Sequence, residues 1–231
     1  MNYSYTEENP LRVFEAFAGY GSQAMALRKI GIPFKVVGIS EIEPTAIKAY
    51  MAVHGETKNY GDISKIDWSE VPDFDFLTYS FPCTDISNAG LQEGFAEGSG
   101  TRSSLLWECK KAIEAKHPKF LLMENVKSLV SQKFLPGFLQ WCDYLTSHGY
   151  TNFQQVLNAK DFSCPQNRER IFVVSILGDA WYNFPQPQEL KLRLKDMLEE
   201  KVDEKYYLDD CKVAEFVGTL SKEKKQLICK D

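Results

Sequence analysis

The chain reads as an α/β domain built on a doubly wound, mostly parallel sheet with an antiparallel edge strand. Three observations predict it. Apolar runs alternate with helical periodicity from Leu11 to His148, a glycine turn follows the first run directly, and two late strands are joined by a connection too short for a helix. At 231 residues the chain can hold one well-buried core plus an extension.

Leu11 to Phe17 reads as a strand running into Ala18-Gly19-Tyr20-Gly21, after which Ala24, Leu27 and Ile30 keep one helix face apolar until Gly31. Phe34 to Ser40 is a second strand, and Pro44 opens a helix that Gly55 ends. The rhythm continues with a strand at Phe74–Ser80, a helix at Leu105–Lys116, a strand at Phe120–Glu124 and a helix at Leu135–His148. Thr151–Leu157 and Arg170–Ile176 then pair antiparallel, as is common at the edge of a parallel sheet. Beyond Gly178 the pattern breaks at Phe184-Pro185-Gln186-Pro187, and a charged helix is expected from about Leu190 to Glu200. The expected organisation is therefore a catalytic domain over 1–178 and, over 179–231, a linker with the start of an incomplete further region.

Formal net charge is −5, from 27 basic and 32 acidic residues, so the whole-chain field repels a polyanion and composition by itself disfavours nucleic acid binding. No apolar run approaches the ~18 residues of a membrane span, and the polar start lacks a signal-peptide pattern. An intracellular, cytoplasmic protein with reduced thiols and no membrane contact is expected. Five of the six cysteines, Cys109, Cys142, Cys164, Cys211 and Cys229, show no C-x-x-C spacing and no nearby pair of histidines, which argues against a zinc site; no metal is expected.

Cys83 differs from the rest. Ser80-Phe81-Pro82-Cys83 closes the apolar run Phe74 to Tyr79, which delivers a cysteine onto a loop at the carboxyl end of a buried strand, where open α/β sheets place their chemistry. It is the candidate nucleophile, against the alternative of a small buried hydrophobe.

Gly19-x-Gly21-x-x-Ala24 follows a strand and opens a helix, and Glu41 stands at the end of the second strand, a Rossmann-like, dinucleotide-binding arrangement. Glycines let a backbone approach an adenosine-bearing cofactor, and a carboxylate there takes the ribose hydroxyls. Asp62, in Gly61-Asp62-Ile63, is suited to accept from an adenine amino group while Ile42 and Ile63 sandwich the ring. The alternative is that Glu41 and Asp62 are ordinary solvated carboxylates.

Taken together these residues resemble the cytosine-5 DNA methyltransferase family. Phe17-Ala18-Gly19-Tyr20-Gly21 is similar to its first motif, Phe81-Pro82-Cys83 to its nucleophile loop and Gly100-Thr101-Arg102-Ser103-Ser104-Leu105 to its fifth motif. Met123-Glu124-Asn125-Val126 resembles its sixth and Pro165-Gln166-Asn167-Arg168-Glu169-Arg170 its eighth, in order across residues 11 to 177. A nicotinamide dehydrogenase would use Gly19, Gly21 and Glu41 but leaves the Cys83 loop and the two arginines without a role.

The resemblance implies the S-adenosylmethionine-dependent methyltransferase fold and transfer of a methyl group to carbon 5 of cytosine in double-stranded DNA, as in restriction-modification systems. Cys83 is then the nucleophile, Glu124 the acid at ring nitrogen 3, and Arg168 and Arg170 the accompanying pair. Phe17, Gly19, Gly21, Glu41, Ile42, Asp62, Ile63, Pro82 and Leu105 would hold the cofactor. Phe81, Thr84, Ser87, Arg102, Asn125 and Val126 would contact the substrate, with Phe81 to Arg102 a mobile lid given freedom by Gly90, Gly94, Gly98 and Gly100. Ser80 and Thr84 depart from the family's usual glycine and glutamine. The family's target-recognition region and last motifs are not found in this sequence, so a second subunit carrying them is expected, with truncation, an RNA-directed relative and a catalytically silent scaffold as alternatives.

Overall fold

The structure is a computed structural model that describes residues 5–87 and 93–219. Contacts divide the chain into two compact units, Met1–Leu190 and Lys191–Asp231.

The first unit is built on a sheet of six strands: β1 (Leu11–Ala16), β2 (Phe34–Ser40), β3 (Phe76–Tyr79), β4 (Phe120–Val126), β5 (Tyr150–Asn158) and β6 (Glu169–Leu177), in the order β2-β1-β3-β4-β6-β5. β1, β2, β3 and β4 run parallel, and β6 inserts antiparallel between β4 and β5. The antiparallel strand is therefore one place in from the edge, and β5 forms the edge itself. β1 has hydrogen-bonded neighbours on both sides, which accounts for its near-continuous burial.

Helices α1 (Ser22–Lys29), α2 (Pro44–His54), α3 (Cys109–Lys116) and α4 (Leu135–Ser147) fill the crossovers. Phe14, Leu77, Leu121 and Met123 on one sheet face meet Ile113 of α3 and Trp141 and Leu145 of α4 in the main core. The segment expected as one helix from Leu105 begins instead as a 3-10 stretch, Arg102–Glu108, and becomes α3 only at Cys109. Thr101 caps that stretch, its hydroxyl oxygen accepting from the Ser104 amide at 3.2 Å.

Contacts hold residues 179–190 with the first unit, past the boundary expected at 178. The Tyr182 ring lies 5.9 Å from that of Phe153, and the Gln188 amide donates to the Asp161 carbonyl at 2.7 Å. The second unit replaces the expected Leu190–Glu200 helix with a short 3-10 turn, Leu194–Met197, and adds one helix, α5 (Asp210–Thr219). It has no core of its own among its described residues, so helical propensity at Leu190–Glu200 lacks a packing face to reinforce it. Among the described residues no helix is long and apolar enough to cross a membrane. Gly90 and Cys229 lie outside the described residues.

Candidate active site

The parallel strands end at one edge of the sheet, and their loops carry the residues singled out above. β1 leads into Phe17, at φ 54°, and then Gly19 and Gly21, both at positive φ. The two glycines serve different ends. A Cβ on Gly21 would lie 2.3 Å from His54 Nε2 and 2.7 Å from the Tyr50 ring, so this glycine lets the turn pack on α2. A Cβ on Gly19 would meet nothing within 4 Å, so this turn faces open space.

Beneath the turn, Glu15 is fully buried and accepts hydrogen bonds from the Tyr50 hydroxyl at 2.5 Å and the Ala24 amide at 3.1 Å. Burial pushes its carboxyl above the ordinary range, more than those two bonds pull it down. Sequence reading passed over Glu15, although a carboxylate inside a buried strand is itself a signal.

Glu41, just past β2, accepts from the Gly19 amide at 2.9 Å and from the Ile42 and Glu43 amides at 2.8 Å. Asn59 ties this loop to the next: its side-chain oxygen accepts from Glu41 and Gly61 amides at 3.1 and 3.0 Å, and its Nδ2 donates to the Glu41 carbonyl at 2.9 Å. Nothing in the local pattern around Asn59 marks it. Asp62 caps the 3-10 turn Ile63–Lys65, accepting from the Ser64 hydroxyl and amide, which hold its carboxyl below the usual range. Phe17, Glu41, Ile42, Asp62, Ile63, Pro82, Arg102 and Leu105 line one cavity of about 160 Å³. Of the three acidic residues lining it, Glu41 and Asp62 beside apolar walls suit a nucleoside, which presents hydroxyls, an amino group and a flat ring.

β3 ends at Tyr79 and delivers the Cys83 loop. The Cys83 carbonyl accepts from the Ile86 and Ser87 amides at 3.2 and 2.9 Å, so the cysteine opens a turn, and its side chain is half-buried. Neighbouring β4 carries Glu124 and Asn125. Asn125 is 3% exposed, and its Nδ2 donates to the Phe81 carbonyl at 3.0 Å. The residue beside the candidate acid therefore holds the loop two residues ahead of the candidate nucleophile.

The antiparallel entry of β6 sets Arg170 opposite Val126 and Phe172 opposite Glu124, which aims Arg170 along the same face at Glu124. Arg170 Nε lies 3.1 Å from Glu124 Oε1. Burial pushes the Glu124 carboxyl up, while the charges of Arg170 and Arg168 and the hydroxyl of Ser80 oppose it without winning. Ser80, a departure from the family pattern, thus has a partner here. Glu124, Arg168 and Arg170 also line a cavity of about 380 Å³ with Phe162, Cys164 and Phe172.

Several expected substrate contacts stand differently. The Phe81 side chain is 2% exposed and packs in the core 6.1 Å from the Phe95 ring, while its carbonyl accepts from Asn125. Asn125 points at that carbonyl and braces the loop. Thr84 is exposed, and Ser87 and Val126 line a cavity with Lys127, Ser128 and Arg170. The lid expected over Phe81 to Arg102 is anchored at Phe81, Ile86 and Phe95, all in the core, and the Trp107 Nε1 donates to the Phe95 carbonyl at 2.6 Å. Moving this segment as one piece would expose that aromatic cluster.

The cavity with Glu41 and Asp62, the cysteine loop and the paired carboxyl and arginine gather at adjacent strand ends of an α/β domain. Its fold is that of solved methyltransferases. Dnmt2 of S. pombe superposes with a TM-score of 0.70 at 21% identity over 90% of this chain and 66% of that one. The EhMeth methyltransferase of Entamoeba histolytica gives 0.74 at 18% identity, over 90% and 64%. The profile described as C-5 cytosine-specific DNA methylase matches residues 11–227, and the chain belongs to that family. It is 45% identical to the type II methyltransferase M2.ScrFI of Lactococcus lactis subsp. cremoris, over 89% of this chain and 72% of that protein. It is 34% identical to the orphan methyltransferase M.SPRI of Bacillus phage SPR, over 91% of this chain and 55% of that protein. The chain thus spans between about half and three-quarters of these relatives. Family membership outweighs the acidic net charge as a guide to nucleic acid: Arg102, Lys127, Arg168 and Arg170 gather around the loops despite it.

Proposed function

We propose that the chain is the catalytic part of an enzyme that methylates carbon 5 of cytosine in double-stranded DNA, working inside the cell. One observation carries the reading: Asn125, adjacent to the candidate acid Glu124, hydrogen-bonds the loop that presents Cys83, so acid and nucleophile are set by one strand end.

Glu41 and Asp62 would hold the ribose and adenine of S-adenosylmethionine, with Phe17, Ile42, Ile63, Pro82 and Leu105 packing its apolar surfaces and Gly19 and Gly21 shaping the turn beside it. Bound there, S-adenosylmethionine supplies the methyl group as an electrophilic sulfonium. The Cys83 thiolate adds to carbon 6 of a cytosine flipped out of the duplex; a C–S bond forms, and the ring's double-bond electrons become available at carbon 5. Negative charge that builds on the ring is relieved at nitrogen 3 by the Glu124 carboxyl, which burial pushes above its ordinary range and so toward the proton-donating form. Once carbon 5 carries the methyl group and S-adenosylhomocysteine is left behind, loss of the carbon-5 proton to a solvent base re-forms the ring double bond, breaks the C–S bond and frees the Cys83 thiolate, while nitrogen 3 returns its proton to Glu124. Arg168 and Arg170 flank the base pocket and keep Glu124 oriented.

Target recognition comes from outside the catalytic part, either from a second subunit or from a longer chain. The relatives' greater length supports this, as does the half-buried apolar face formed by Phe76, Leu122 and Phe172 beside α1.

The test is a labelled-methyl assay on mixed-sequence duplex DNA, with the chain alone and with a recognition region supplied, beside calorimetry with S-adenosylhomocysteine. Expected are binding by the chain alone and efficient methylation only in the completed assembly. Preference for a nicotinamide dinucleotide, or site-specific methylation by the chain alone, would overturn the corresponding half of the reading.

A further inference from the structure

Ser103 and Asp85 grip the nucleophile loop from both sides of Cys83. Ser103 is fully buried and Asp85 is 7% exposed. The Ser103 hydroxyl donates to the Pro82 carbonyl at 2.7 Å and accepts from the Asp85 amide at 3.2 Å. One oxygen thus holds a backbone group on each flank of the cysteine. In return the Ser103 amide donates to Asp85 Oδ2 at 2.9 Å, and the Thr84 hydroxyl donates to the same oxygen at 3.1 Å. The residues next to this clamp face the other way: Arg102, Leu105 and Pro82 line the cavity that also holds Glu41 and Asp62. The clamp therefore stands between the cavity wall and the thiol's own backbone.

We propose that Ser103 and Asp85 are positioning residues that transmit occupancy of the Glu41–Asp62 cavity to the placement of the Cys83 thiol. The proposal rests on the reading of that cavity as the S-adenosylmethionine site. A ligand pressing on Pro82, Arg102 or Leu105 displaces the Ser103 backbone, and the paired hydrogen bonds carry the displacement to residues 82 and 85. A purely structural serine would lower stability when removed but would leave the thiol's response to ligand unchanged.

Alkylation of Cys83 by iodoacetamide, followed peptide by peptide with mass spectrometry in the full chain, separates the two roles. Exposed Cys211, which lines none of the cavities described, is the internal reference. Wild type, Ser103→Ala, Asp85→Ala and Asp85→Asn are compared with and without S-adenosylhomocysteine, whose affinity is measured by calorimetry. In wild type, bound ligand is expected to change the Cys83 rate by about fivefold or more, the scale of one hydrogen bond. In Ser103→Ala and Asp85→Ala that response should fall below about twofold while the ligand still binds; Asp85→Asn, which keeps an acceptor oxygen, should restore it. An undiminished response in the two alanine variants, or a bound ligand that leaves the wild-type rate unchanged, overturns the proposal. Failure of the ligand to bind wild type overturns the cofactor reading instead. The clamp is then judged without ligand: Cys83 must alkylate about fivefold faster in Ser103→Ala than in wild type, and equal rates refute it. If Ser103→Ala does not fold, Asp85→Ala carries each comparison.

Discussion

Arg170 Nε stands 3.1 Å from Glu124 Oε1, yet the carboxyl it faces is pushed above its ordinary range. Desolvation at the end of β4 favours the neutral acid more strongly than two nearby guanidinium groups favour the anion. The pair is thus a balance that the antiparallel insertion of β6 makes possible, because a parallel neighbour would not return Arg168 and Arg170 to the functional edge of the sheet.

Removing the nearer cation should tip that balance. Arg170→Gln is expected to raise the Glu124 pKa further, read by carbon-13 NMR of glutamate-labelled chain with Glu124→Gln as the assignment control. The same raised value has a sign for stability. A carboxyl that binds its proton more tightly when folded loses stabilisation as pH climbs from its unfolded value of about 4.3 through the folded one. Glu124→Gln should abolish that part of the loss in urea titrations. A wild-type value below the ordinary carboxylate range would show that burial does not dominate, and a fall in the Glu124 pKa in Arg170→Gln would show that the guanidinium does not favour the anion.

Cys83→Ala should reduce methyl transfer by the completed assembly to background and leave S-adenosylhomocysteine affinity within about twofold, because alanine cannot add to the ring. Labelled-methyl incorporation and calorimetry read the two effects separately. Turnover retained by the alanine variant would remove the covalent route.

The two glycines of the first turn should behave differently on substitution. Gly21→Ala combines a φ of +80° with a Cβ only 2.3 Å from His54 Nε2, so both stability and ligand binding should fall, by well over the ~1–2 kcal/mol of the left-handed penalty alone. Gly19→Ala, with no atom within 4 Å of its Cβ, should cost only that penalty in thermal stability. Equal losses in calorimetric unfolding would show that packing on α2 is not what Gly21 serves.

Much of this was legible from local pattern. β2 and the start of α2 fall where the apolar run and Pro44 put them, because a buried parallel strand and a proline at a helix start leave strong local signals. Cys83 and Glu41 could be singled out because each follows a strand, and Glu124 through the motif resemblance. What escaped depends on pairing between distant segments. β4 runs on to Val126 because Arg170 lies opposite it, and the 3-10 stretch Arg102–Glu108 is bound to the Cys83 loop through Ser103. Asn59 and Glu15 act by hydrogen bonds to residues many positions away, and Phe81 looked like a loop aromatic until the core claimed it.

Asp75 works at the opposite end of the sheet and should govern acid stability without touching the site. Its carboxylate accepts from Arg12 Nε at 3.0 Å and Nη2 at 3.2 Å and pairs with Lys119 at 3.2 Å. Its amide and carbonyl bond Arg12 and Phe120, so one residue joins the starts of β1, β3 and β4. Burial pushes the carboxyl up, but the hydrogen bonds from Arg12 and Lys119 prevail and hold it below the usual range. A depressed folded value contributes stability that is present above the unfolded pKa of about 3.9 and is lost as pH falls through the folded one. Asp75→Asn should therefore cost about 1–2 kcal/mol at pH 7, toward the lower end because Arg12 and Lys119 are almost half exposed. That gap should close as pH drops below about 4, while S-adenosylhomocysteine affinity stays unchanged. Urea titrations of both proteins at several pH values measure it, and a gap that persists or widens in acid would show that the ion pairs at Asp75 are not its source.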